Sequence, residues 1–129
     1  MRILVDTQCW LWLNAEPERL SATTRSLVTA SDSRLLLSAA SAWEIAIKYA
    51  LGKLPLPQPP ARYVPASIRA LRAEALPIEV AHALRVATLP MHHRDPFDRI
   101  LIAQALVEKL TLLTSDPQLE HYGATLMAP

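Results

Sequence analysis

The sequence predicts an α/β fold on a mainly parallel sheet of about five strands. Three observations point there. Short, uniformly apolar runs recur, as in Ile3-Leu4-Val5 and Leu35-Leu36-Leu37; without polar alternation, such runs read as strands covered on both faces. Helical segments separate these runs, and a β-α-β-α order implies parallel pairing. The chain has 129 residues, 51% hydrophobic and 19% charged, which suits one domain over 1–129 with a sizeable core and excludes a disordered chain.

Each element has a local cause. Asp6-Thr7 ends the first strand, and residues 7–14 read as a helix carrying Trp10 and Trp12. Ser21 is a plausible N-cap for a helix up to about Ala30. The second strand stops at Ser38, and residues 39–51 form a helix ended by Gly52. Pro55-Leu56-Pro57-Gln58-Pro59-Pro60 is read as a stiff loop, since proline suits neither helix interiors nor central strands. A helix over 63–73 and an edge strand over 75–78 follow, then a helix over 79–88. Asp95 and Pro96 are the N-cap and first position of a helix reaching about Lys109. Thr111 to Thr114 is a strand, Asp116-Pro117 opens a short helix, and 124–127 is a last edge strand.

Composition removes several function classes. With 2 glycines, the chain carries neither a Walker loop nor a dinucleotide fingerprint. The single cysteine, Cys9, excludes a disulfide framework and a cysteine-based zinc site. The formal net charge of +1 provides no global field toward nucleic acid or membrane, so any nucleic-acid contact is local. No run reaches the ~18 apolar residues of a membrane span, and Asp6 falls where a signal peptide would be apolar. The expectation is a cytoplasmic protein with no membrane partner.

Four acids stand out. Asp6 and Asp116 directly follow apolar strands, where open parallel sheets bind ligands. Glu44 shares an i, i+3, i+7 stripe with Ser41 and Lys48 on a helix otherwise apolar enough to be mostly buried. Asp98 is at the third position of its helix. Each acid also has a plainer role: Asp6 and Asp116 as helix caps, Glu44 in a surface pair with Lys48, Asp98 as a first-turn acid favoured by the dipole. Jointly they suggest a cluster. Two carboxylates about 4 Å apart repel by about 4 kcal/mol at an effective dielectric of ~20, so a cluster needs a cation. Hard oxygens without cysteine or paired histidines favour Mg²⁺ or Mn²⁺ over zinc.

The segments Ile3-Leu4-Val5-Asp6-Thr7, Ser41-Ala42-Trp43-Glu44-Ile45-Ala46-Ile47-Lys48, His93-Arg94-Asp95-Pro96-Phe97-Asp98-Arg99-Ile100-Leu101-Ile102-Ala103-Gln104-Ala105 and Leu113-Thr114-Ser115-Asp116 resemble the PIN-domain nucleases, specifically the VapC-like toxins of toxin–antitoxin pairs. The resemblance runs from residue 2 to about residue 127. It implies a three-layer α/β/α sandwich and an acidic site of Asp6, Glu44, Asp98 and Asp116, with Asp6 and Asp98 as the most direct metal ligands. Thr7, Thr114 and Ser115 match supporting hydroxyl positions. The expected activity is endoribonucleolytic hydrolysis supported by Mg²⁺ or Mn²⁺. Arg99, Lys48 and Arg94 are candidates for phosphate contacts. The resemblance also implies a homodimer and a cognate antitoxin, with a groove lined by Trp10, Trp12 and the 20–30 helix as its docking place. Trp10, Trp12 and Trp43 are expected in the core or a subunit interface rather than stacked on bases. The alternative is a non-catalytic interaction module of the same fold.

Overall fold

In the computed structural model, which describes residues 1–91 and 95–129, five parallel strands form one sheet: β1 (Arg2–Val5), β2 (Arg34–Ser38), β3 (Glu74–Leu76), β4 (Thr111–Leu113) and β5 (Thr125–Met127). Their order is β3-β2-β1-β4-β5, and every pairing is parallel. The helices are α1 (Thr7–Ala15), α2 (Ala22–Thr29), α3 (Ala39–Ala50), α4 (Pro60–Ala70), α5 (Val80–Arg85) and α6 (Pro96–Glu108). None among the described residues is long and apolar enough to cross a membrane.

The uniformly apolar strands arise because both sheet faces are covered. Ile3, Val5, Leu35, Leu37 and Leu113 pack with Trp10, Val28, Val64 and Ile68 of α1, α2 and α4. Leu4, Leu36 and Leu112 point the other way, onto Leu101, Ile102 and Ala105 of α6. Alternate side chains thus feed two cores, giving the three layers. The chain steps from β1 to β2 to β3, then crosses back to place β4 on the far side of β1. That reversal opens a crevice beyond the carboxyl ends of β1 and β4.

Several expected boundaries are corrected. Helix α4 begins at Pro60, inside the stretch read as loop. Proline at the first helical position lacks only an N–H that is unbonded there anyway. Pro65 sits within the same helix; it and Ala61, whose carbonyl it deprives of a partner, are exposed, so water can satisfy that group. The helix ends at Ala70 rather than 73, as Arg72 turns left-handed at φ 52°. The expected 79–88 helix splits into α5 and a 3-10 turn, Val86–Thr88. His82 ties α5 down: Nδ1 accepts the Glu79 N–H at 3.0 Å, and Nε2 is 2.9 Å from Glu108 Oε1.

Helix α3 also departs from expectation. Its composition predicts a mostly buried helix, yet only Ala40, Ser41, Glu44 and Ile45 are buried. Ala40 belongs to one core and Ile45 to the other. The helix therefore lies across the carboxyl end of the sheet, touching α1, α4 and α6, with one flank outside. Trp43 on that flank is 61% exposed, which leaves the subunit interface, not the core, of the two places expected for it.

Candidate active site

Asp6 is built in by the strand it follows. Its N–H donates to Leu113 O at 2.9 Å, extending the β1–β4 ladder by one residue. Its carboxylate accepts the Cys9 N–H on Oδ1 at 2.7 Å and the Ser115 N–H on Oδ2 at 3.3 Å. It therefore caps α1, as the plainer reading held, and also clamps the loop after β4. The carboxylate is 5% exposed. Burial, and then the adjacent Asp6 charge, pushes the Cys9 thiol up, so Cys9 stays a neutral packing residue.

The β4 end supplies the next group. Thr114 is buried, and its Oγ1 accepts the Asp116 N–H at 3.1 Å. Asp116 is half-buried and accepts the Gln118 N–H at 2.9 Å, capping a 3-10 helix over Pro117–Tyr122. Ser115 is exposed and contributes its backbone to Asp6.

Glu44 and Asp98 come from helices flanking the crevice. Glu44 is 7% exposed, on the buried side of α3. Its Oε2 accepts from Lys48 Nζ at 2.6 Å, so the expected pair exists but its acid is not a surface acid. Asp98 is half-buried in the first turn of α6, its N–H donating to the capping Asp95 at 3.3 Å. The preceding residues, Trp43 and Phe97, meet edge to face with centroids 5.4 Å apart. This contact draws the two helices together. The Lys48 ammonium is raised above its ordinary value, first by its bond to Glu44; burial opposes this, and the Glu44, Asp95 and Asp98 charges add to it. Acids of α3 and α6 thus act on one ammonium.

The structure brings Asp6 against the 114–116 loop, pairs Glu44 with Lys48, and packs the residues preceding Glu44 and Asp98 against each other. It does not gather three such acids tightly enough to hold one ion as they stand, among the described residues. The donor chemistry nevertheless fits a hard divalent cation: carboxylate oxygens at the sheet's carboxyl edge and, among the described residues, no His or Cys ligand group. Two orphaned hydroxyls add to the fit. Thr7 Oγ1, beside Asp6, and Ser41 Oγ, one turn before Glu44, are buried and find no partner among the described residues. Ser41 stands on the stripe its i, i+3 spacing to Glu44 predicts, but that spacing alone does not mark it as part of the site.

Arg99 is corrected. Its guanidinium is 8% exposed and donates to the carbonyls of Pro90 at 2.9 Å, Val86 at 3.2 Å and Leu89 at 3.4 Å. It anchors the chain after α5, against the expected phosphate contact. Arg94 lies outside the described residues. The anticipated docking groove also changes. Trp10 is wholly buried, its Nε1–H donating to Ser67 Oγ at 3.0 Å. The groove beside Trp12, about 260 Å³, is walled by Gln8, Leu11, Leu54–Pro57 and Tyr63 rather than by α2.

Comparison with known proteins follows the same lines. The PIN domain family model matches residues 3–124. Over 60 residues, 46% of this chain, the sequence is 55% identical to Ribonuclease VapC16 of Mycobacterium tuberculosis; that stretch spans 41% of the relative's length. Among solved structures, VapBC2 from Rickettsia felis bound to a DNA fragment from their promoter is similar with a TM-score of 0.74 at 14% identity, covering 99% of this chain and 98% of that one. FitAcB from Neisseria gonorrhoeae gives 0.69 at 19% identity, covering 97% and 96%. These structural likenesses show the fold.

Proposed function

Because the chain belongs to the PIN domain family, we propose that it is a metal-dependent endoribonuclease acting as the toxin of a toxin–antitoxin pair. The observation carrying this reading is the acidic crevice at the strand-order reversal, where Asp6, directly after β1, is bonded to the loop that holds Asp116 after β4. The local identity to a VapC ribonuclease supports the RNA substrate.

In this reading Asp6 and Asp98 are the principal ligands of Mg²⁺ or Mn²⁺, with Glu44 and Asp116 completing the site. The ion would supply an activated water and positive charge opposite the developing phosphorane charge. The chain's own groups do the positioning. Two backbone N–H bonds fix both Asp6 oxygens. The α6 N-terminus orients Asp98, and its dipole favours negative charge there. Thr7 and Ser41 hold buried hydroxyls that a bound phosphate or water would satisfy. No His base or Ser nucleophile is required.

Two partners follow. A cognate antitoxin would dock in the groove beside Trp12, which starts at Gln8, two residues beyond Asp6. A second copy would cover the apolar face where Trp43 and Ile78 are 61% and 40% exposed. There a hollow of about 360 Å³ is walled by Trp43, Ile78, Val86 and Phe97, among others. Exposed apolar surface of this kind marks an interface.

The rival reading, a non-catalytic module, is favoured by the lack of three acids within reach of one ion among the described residues. Incubating purified, antitoxin-free protein with total cellular RNA, with and without Mg²⁺, decides between them. We expect cuts at defined positions only with the ion. Ion at 100 times its Kd should also add about 2.7 kcal/mol of stability by mass action, seen as a raised Tm. Intact RNA and an unmoved Tm would favour the module.

A further inference from the structure

We propose that Lys48 is a built-in counterion of the acidic crevice, holding Glu44 until a divalent cation takes its place. The inference rests on the metal-dependent reading above. The Lys48 ammonium is 2.6 Å from Glu44 Oε2, and the two side chains differ in exposure, 50% for Lys48 against 10% for Glu44. The ammonium therefore reaches in from solvent over a carboxylate that is almost enclosed. An ordinary i, i+4 surface pair leaves both partners in water.

Lys48 also answers to more than its helix neighbour. Asp95 and Asp98, at the start of α6, attract it as well. The pair sits on α3, which packs against the start of α6 through Trp43 and Phe97, so the carboxylates of that first turn lie on the neighbouring element. Without a cation these acids repel one another. Lysine suits a removable cation: it is a compact charge on a flexible stem, without the fixed bidentate fork of arginine. Its half-exposed side chain can swing outward by rotamer changes, leaving α3 where it is. A divalent ion on Glu44 and an ammonium at 2.6 Å from the same carboxylate repel each other, so the two compete for it.

Removing the charge should therefore act oppositely on the two states. The ion-free protein loses the cation that shields its acids, while the ion meets no competitor. If Lys48 only orients Glu44, the sign reverses and binding weakens. The test compares wild type, Lys48→Met and Lys48→Arg by Mn²⁺ titration, with free Mn²⁺ read by electron paramagnetic resonance, and by melting in EDTA and in excess Mn²⁺. We expect Lys48→Met to bind Mn²⁺ about tenfold more tightly. It should melt lower than wild type in EDTA and gain more on adding Mn²⁺, whereas Lys48→Arg should restore the EDTA melting temperature. Unchanged or weaker Mn²⁺ binding in Lys48→Met, beside normal binding in wild type, overturns the counterion role. A wild type that binds no Mn²⁺ overturns the metal-dependent reading and this inference together.

Discussion

Asp6→Asn is expected to lower RNA cleavage by ~10²- to 10³-fold, the scale on which losing one charge-stabilising group at a reacting centre acts, while the protein still folds. Asparagine is as good an N-cap as aspartate, so its Oδ1 can keep the 2.7 Å bond from the Cys9 N–H. The loss is at the second oxygen. There the Ser115 N–H, 3.3 Å from Oδ2, would face the new amide group, donor against donor, at a cost of about 1 kcal/mol. A fall in Tm of a few degrees is the expected structural effect. Asp6→Ala, which deletes both acceptors, should fall further, by roughly 1 kcal/mol more for the lost cap. Cleavage rates with Mg²⁺ and melting by circular dichroism separate the two effects. An Asp6→Asn protein that cleaves within a few fold of wild type would remove Asp6 from the site.

The parts of the fold that depend on local chemistry were legible from residue order. The caps Asp6, Ser21, Asp95 and Asp116 all sit where short polar side chains precede helical runs. The strands β1, β2 and β4 betrayed their double coverage by lacking polar alternation. Composition misled where burial depends on neighbours supplied from far along the chain. Helix α3 is apolar enough to be central, yet half of it is outside, because exposure of Trp43 is decided by what packs beside it. Arg99 next to Asp98 reads as a candidate for a salt bridge or phosphate contact; its bonds to carbonyls 9 to 13 residues earlier are invisible to spacing. The strand-end acids were legible because parallel topology forces strand termini to one edge. The pairing of Glu44 with Lys48 was legible from i, i+4 spacing, but its enclosure was not, since that depends on α3 lying across the sheet end.

Trp10 and Trp43 should respond to alanine in opposite ways, although the sequence presents both as aromatic residues on apolar helices. Trp10 is wholly buried in the core formed by β1, β2 and the helices α1, α2 and α4. Trp10→Ala should cost about 3–5 kcal/mol through lost burial and the cavity left behind. That is a large share of the 5–15 kcal/mol typical of a domain, enough to lower Tm by roughly 10–20 °C. Trp10→Phe keeps one six-membered ring but loses the other half of the indole and with it the Nε1–H bond to Ser67 Oγ, so it should cost less than alanine, through a smaller cavity and a hydrogen bond worth about 1 kcal/mol. Ser67 still donates to Val64 O at 2.9 Å, so its hydroxyl keeps a partner in that variant. Trp43 is 61% exposed and rests on the edge of Phe97. Trp43→Ala should change monomer stability by no more than ~1 kcal/mol, yet weaken self-association by ~30-fold or more if the face it stands on meets a second copy, since a buried interface tryptophan is worth about 2 kcal/mol or more. Urea melts of dilute protein read the first quantity and sedimentation over a concentration series reads the second. Association unchanged by Trp43→Ala would move the dimer face away from α3 and α5, while a stability loss matching that of Trp10→Ala would mean that Trp43 belongs to the core after all.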